Sequence, residues 1–210
     1  MSPSPTQLPH LSDRLFLADG GVETTLIFRD GFDLPLFASF TLLSNAAGYQ
    51  ALERYFRSYI AIAQTYRVGL VLESVTWRAN PDWAAKLGHS SADLVEINRQ
   101  AIALLQDLRQ AHATLQTPIV VSGCLGPRGD GYVPAAAMTA EEAAAYHRPQ
   151  IDSLREAGAD LISAMTMNYV EEAQGIAQAA RAAGIPAVIS FTVETDGHLP
   201  TGQPLGEAIE

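Results

Sequence analysis

Three stretches of this chain set side chains capable of chemistry beside residues that let a ligand come close. In DGGVETTL, residues 19–26, the carboxylate of Asp19 precedes two glycines. Gly20 and Gly21 leave the backbone uncovered, so Asp19 reads as a ligand-facing acid or as an Asx turn. In ESVTWRAN, residues 73–80, Glu73 closes an apolar run. A carboxylate that points inward there needs a partner; Arg78 is near in sequence, and a structural ion pair is the expected role. In FTVETDGHLPTG, residues 191–202, Glu194, Asp196 and His198 share one loop. Carboxylates and a histidine can ligate a metal. The Gly/Pro setting of His198 points instead to an exposed turn, and no metal is assigned to it.

The single cysteine, Cys124, sits in VVSGCLGPRGDGY, residues 120–132. A thiolate zinc site draws on several cysteines, and a nucleophilic thiol needs a neighbouring base. Neither is near in sequence, so Cys124 is expected to be a small buried residue at a strand end. The loop after it lacks the GKS or GKT of a P-loop. Glycine-rich loops can hold anions on their N–H groups, but this one is expected simply to close over the end of a sheet. His10, His89, His112 and His147 are scattered without ligand spacing.

The elements that must position these groups alternate. Apolar runs at 14–21, 69–77, 117–124, 159–166 and 185–194 are too continuous for a strand with one wet face. They suit parallel strands buried on both sides. Between them the pattern predicts helices at 48–66, 90–110, 138–158 and 169–184. Tyr55, Tyr59 and Ile62 share a face of the first. Ser90 with Asp93, and Thr139 with Glu142, have capping-box spacing. Pro149 is expected to kink or interrupt the third helix, and Gly158 and Gly184 supply stops.

Repeated βα units with buried strands predict an α/β fold of the (β/α)8 TIM-barrel type. A doubly wound sheet is the rival, but DGGVETT lacks GxGxxG spacing. Five units are found where a closed barrel has eight and about 250 residues, so the chain is expected to carry the first part of a barrel. Residues 1–13 read as a flexible Pro/Ser leader and 14–210 as one barrel-derived domain. In such barrels the reactive groups stand at the C-terminal ends of strands. Asp19, Glu73, Thr76, Trp77, Cys124, Thr166, Asn168, Glu194 and Asp196 all fall there.

The formal charge of -10 repels phosphate backbones and anionic membrane surfaces, which argues against nucleic-acid and membrane partners. One cysteine, no h-region and no apolar run of eighteen residues predict a cytoplasmic protein.

Taken together, DGGVETTL, ESVTWRAN, GCLGPRGDGY, ADLISAMTMNYVEEA (159–173) and FTVETDGHLPTG resemble the homocysteine S-methyltransferase family. The likeness lies in their order and spacing, from about residue 14 onward. The resemblance implies a (β/α)8 barrel that moves a methyl group from a small-molecule donor onto a thiol acceptor such as homocysteine. It also implies zinc held by three cysteines, one at the end of strand six and an adjacent pair further on. Cys124 matches none of these positions, so no zinc is expected on this chain, which is expected to be inactive alone. Asp19, Gly20, Gly21, Thr76, Trp77, Asn80, Asn168 and Glu194 are the expected substrate contacts. Trp77 either faces a cationic donor or packs. Many family members carry a glutamate where this chain has Met165, and that glutamate can hold the amino group of homocysteine. Asn168, Glu171 or Glu194 is the expected substitute; otherwise the acceptor differs. The alternatives are a non-catalytic binding or assembly module, and a lyase with Glu194 or Asp196 as base. Open edges at strands one and five would invite self-association into a homo-oligomer.

Overall fold

The computed structural model describes residue 8, residues 12–133 and residues 136–210. The leader expected over residues 1–13 lies outside them, apart from residues 8, 12 and 13.

Five strands, β1 (Phe16–Ala18), β2 (Gly69–Glu73), β3 (Ile119–Leu125), β4 (Leu161–Met167) and β5 (Ala187–Phe191), pair in parallel in chain order. Sequential parallel pairing is the topology of a barrel wall, and the sheet curls as part of one. The doubly wound alternative would require a reversal of strand order, and there is none.

The helices follow from local sequence. After α1 (Val22–Thr24), a π-helical turn (Thr25–Arg29) and 3-10 turns at Pro35–Phe37 and Ser39–Ser44 lead to α2 (Ala46–Tyr66). Asn45 caps α2 by accepting the Gly48 N–H at 2.8 Å. On α2, Tyr55 is buried, but Ile62 is 46% exposed and leaves the expected face. The short α3 (Pro81–Lys86) begins at Asn80, with proline in the first turn where its missing N–H costs nothing. Both expected capping boxes form: Ser90 with Asp93 opens α4 (Ser91–His112), and Thr139 with Glu142 opens α5 (Ala140–Glu156). α6 (Val170–Ala183) stops at Gly184, whose φ of 71° is the left-handed cap that glycine adopts freely. α7 (Leu205–Ile209) follows β5.

Pro149 does not break α5, which runs unbroken from Ala140 to Glu156. The carbonyl it leaves without an intrahelical donor is that of Ala145, four residues back. Both residues are exposed, so that carbonyl is open to solvent.

Alternation along the strands splits the core in two. Leu70, Leu72, Ile119, Val121, Ile162 and Ala164 belong to the large core shared with the helices. Their neighbours Val71, Val120 and Leu161 form a separate cluster with Leu8 and Phe16. Successive strand residues point to opposite faces, so the second cluster is the inner face of the curled sheet. Two residues further along each strand, the inner face turns polar. Glu73, Ser122 and Ser163 follow Val71, Val120 and Leu161.

Candidate active site

The polar layer opens into a cavity of about 380 Å³ at the C-terminal ends of β1 to β4. Asp19, Glu23, Glu73, Trp77, Cys124 and Met165 line it, with Gly20, Gly21, Ser74, Phe37, Tyr132 and Thr166.

Asp19 is held at the end of β1. Its Oδ1 accepts the Glu73 backbone N–H at 2.8 Å, and its Oδ2 accepts the Tyr55 hydroxyl at 3.2 Å. Tyr55 and Tyr59 on α2 also point their hydroxyls at the Gly20 carbonyl, each at 2.9 Å. Gly21 takes a φ of 68°, the left-handed turn that lets α1 start directly beside the acid. Burial, with Glu73 close by, raises the Asp19 carboxyl to about 7 against the pull of its hydrogen bonds.

Glu73 does not pair with Arg78, contrary to the ion pair expected from their spacing. Its Oε1 accepts the Ser163 hydroxyl at 2.9 Å, and Ser163 in turn lies 2.7 Å from the Ser122 hydroxyl. Burial pushes the Glu73 carboxyl up, against the lowering effect of these serines. Its Oε2 is buried without a partner among the described residues. Arg78 turns away because a better site lies on the other side. It donates to Asp130 Oδ2 at 2.8 Å and to the Gly129 carbonyl at 3.1 Å. Its guanidinium also lies 4.1 Å from the Trp77 ring centroid and 3.8 Å from that of Trp83. A planar cation gains on both counts, from the carboxylate and from the aromatic faces.

That clamp fastens the glycine-rich loop over the cavity. Trp77 donates its indole N–H to Thr166 Oγ1 at 3.0 Å. A Cβ on Gly131 would stand 2.7 Å from the same oxygen, and one on Gly126 would collide with the Trp77 carbonyl. The glycines are there for close approach. One face of Trp77 is thus occupied by Arg78.

Thr166 is an outlier, a β-branched residue at φ 60°. It lies where the register of β4 against β5 shifts between Ala164 and Met167. This irregularity of β4 sits at the cavity wall, beside Met165.

The expected contacts divide. Asp19, Gly20, Gly21 and Trp77 line the cavity. Thr76 and Asn80 are buried behind it: Thr76 donates to the Cys124 carbonyl at 2.7 Å, and Asn80 donates to the Pro127 carbonyl at 3.1 Å while capping α3. Asn168, also buried, donates to the Asp130 carbonyl at 2.7 Å. Glu194 is exposed in a turn closed by its own N–H to the His198 carbonyl at 2.8 Å. None of these four lines the cavity, and neither does Glu171. Cys124 is buried, and burial beside Glu73, Glu23 and Asp19 raises its thiol well above the ordinary range. It is therefore a neutral thiol. Sequence reasoning missed Phe37, Tyr132 and Glu23. Glu23 lies two residues after the double glycine, which is the signal that was there to be used.

With this geometry in view, comparison with known proteins decides the family. The family model described as homocysteine S-methyltransferase matches residues 16–210. The chain belongs to the homocysteine S-methyltransferase family. The homocysteine S-methyltransferase of Escherichia coli (strain K12) is 28% identical over 156 residues, covering 69% of this chain and 50% of that protein. The chain therefore spans about half the length of the curated relative it matches. Among solved structures, the metallated form of the homocysteine methyltransferase MmuM from Escherichia coli superposes with a TM-score of 0.75 at 24% identity. It covers 95% of this chain and 70% of that one. The apo form gives 0.68 at 21%, covering 95% and 67%. These likenesses show the fold, and the cavity occupies the end of the sheet where barrels of this architecture place their chemistry.

Proposed function

We propose that the chain binds the thiol acceptor of an S-methyltransferase, homocysteine or a close relative, in the Asp19 cavity. The observation that carries this reading is that the family match, residues 16–210, includes every residue lining that cavity. In the reaction the acceptor sulfur loses its proton, attacks the methyl carbon of a small-molecule donor and becomes a thioether, while the donor leaves one methyl lighter. The sulfur must react as thiolate, and a free thiol has a pKa of about 8.5.

Zinc is the activator that the family resemblance implies. The described residues do not fit it. No group of three or more His, Cys, Asp or Glu side chains among them could hold a metal, and Cys124 is a buried neutral thiol. Asp19, Glu73 and the exposed backbone at Gly20 and Gly21 bind and orient. The strapped loop brings Tyr132 to the cavity.

Calorimetric titration with homocysteine tests the reading. Saturable binding that Asp19→Ala abolishes supports it. Failure to bind homocysteine or a homologous thiol refutes it.

The second reading, a binding or assembly module, draws on the edge of the sheet. An apolar groove of about 520 Å³ runs beside β5, lined by Ile189, Phe191, Val193, Leu205 and Ile209. Self-association through that edge would appear as concentration-dependent mass in analytical ultracentrifugation.

A further inference from the structure

Two tyrosines of α2 reach Asp19 and its neighbour Gly20, and their protons do not match their contacts one to one. Tyr55, 5% exposed, has a single hydroxyl proton and two acceptors in reach. These are the Gly20 carbonyl at 2.9 Å and Asp19 Oδ2 at 3.2 Å. Tyr59, half-buried one helical turn further on, brings a second hydroxyl to the same Gly20 carbonyl at 2.9 Å. The two rings lie 5.2 Å apart.

A tyrosine hydroxyl donates once, and a carbonyl oxygen can accept twice. Two arrangements satisfy that count. With Asp19 ionised, Tyr55 donates to the carboxylate and Tyr59 alone holds the Gly20 carbonyl. With Asp19 protonated, its own O–H donates to the Tyr55 oxygen, and both tyrosines donate to Gly20. No acceptor of the group goes without a donor in either state.

We infer that Tyr55 and Tyr59 are positioning residues for Asp19: as a pair they keep the carboxyl and the Gly20 carbonyl hydrogen-bonded in both protonation states, so that the acid can change charge without loosening the double-glycine turn. Neither tyrosine lines the cavity, so both act through groups that do. On the thiol-acceptor reading above, a proton is lost in the cavity, and a carboxyl that takes or yields a proton on a fixed backbone suits that need. Tyr55 alone could not serve. A carboxylate is a stronger acceptor than a carbonyl, so each ionisation of Asp19 would draw the Tyr55 proton away and leave Gly20 without a hydroxyl. Tyr59 is the donor that remains.

The other titratable groups at the cavity are Glu73 on β2, Glu23 on α1, the Cys124 thiol on β3 and Tyr132 on the loop; among the described lining residues there is no lysine, arginine or histidine. Asp19 Oδ1 is committed to the Glu73 N–H at 2.8 Å, so the proton comes and goes at Oδ2, beside Tyr55. Burial brings that exchange to about pH 7, where both states are populated.

The test is a pH titration of isotope-labelled aspartate carboxyls by NMR, with Asp19→Asn identifying the signal. The unmutated protein should show a midpoint of about 7. Tyr55→Phe should raise it by about 1 pH unit, because the ionised form loses a charge-assisted donor. Tyr59→Phe should raise it by about 0.5 pH unit. Tyr59 makes no hydrogen bond to Asp19, but without it the Gly20 carbonyl competes for the Tyr55 proton. In the double variant the second change should add nothing, since Tyr59 acts only through Tyr55. An unmoved midpoint in Tyr59→Phe overturns the inference, and so do additive shifts in the double variant. Should Tyr55→Phe fail a folding check by circular dichroism, Tyr59→Phe, which removes a half-buried hydroxyl, decides by itself. These titrations use the protein without ligand. Unmoved midpoints in a protein that binds homocysteine would sink this inference and spare the thiol-acceptor reading. The expected shifts in a protein that binds no thiol would support this inference and sink that reading.

Discussion

Two groups of enclosed acids in this chain are built in opposite ways. At the glycine-rich loop, the buried Glu172 beneath it and the half-buried Asp130 within it are fully engaged. Glu172 accepts the Arg128 backbone N–H at 2.7 Å and pairs with His147 at 2.9 Å, both side chains being 1% exposed. Asp130 takes Arg78 at 2.8 Å and the Tyr132 N–H at 2.9 Å. In the cavity, Asp19 and Glu73 face one another's field with no cation and one oxygen unpaired. The acids that hold the loop backbone are given partners by the fold, whereas Glu73 on the cavity wall is left one short, and the difference is visible only in three dimensions.

The largest expected effect tests that contrast directly. Glu172→Leu strands the His147 ring and the Arg128 N–H, and should cost about 3 kcal/mol in urea unfolding. Glu73→Leu removes the unpartnered Oε2 together with the Oε1 that accepts from Ser163, whose hydroxyl keeps Ser122 within hydrogen-bond reach, and should shift stability by no more than about 1 kcal/mol in either direction. Equal losses in both variants would mean that the two groups of acids do not differ.

The next effect is on pH. The unfolded Asp19 releases its proton near pH 3.9, whereas the folded chain holds it to about 7. Between those values the folded state binds the extra proton, so stability should fall as pH rises through the window and level off above it. Thermal unfolding at pH 5 and pH 8 reads this directly. Asp19→Asn should flatten the slope, and an unchanged slope would show that another group carries it.

Smaller again is Trp77→Phe. It deletes the indole N–H bond to Thr166 and should cost about 1 kcal/mol, read as a lower urea midpoint. The smallest effect concerns Cys124, buried and neutral. Cys124→Ala should cost about 0.8 kcal/mol or less, and a thiol-reactive dye should label the unmutated chain only once it unfolds. Rapid labelling of the folded chain would mean that the thiol faces the ligand more openly than its burial indicates.

Much of the scaffold could be read along the chain. Strands of unbroken apolar sequence, Ser90 and Thr139 as caps, and Gly184 as a stop all depend on neighbours a few residues away. The differences between expectation and structure share a cause. Arg78 was paired with Glu73 because they are five apart, yet its partners are Asp130 and the flanking tryptophans. Thr76, Asn80 and Asn168 lie at strand ends, where substrate contacts were expected, and their side chains bond the Cys124 carbonyl of β3 and the Pro127 and Asp130 carbonyls of the loop. Pro149 looked like a break and is tolerated because its turn of helix faces water.

The sequence by itself determined the parallel order of the strands, the helix boundaries to within a few residues, and the family, since these rest on periodicity, capping and motif spacing. Only the tertiary structure decided which acids are satisfied and which are not. A carboxylate's partners come from strands and loops tens of residues away, and alternation along a strand says that a side chain points inward but not what it will meet there.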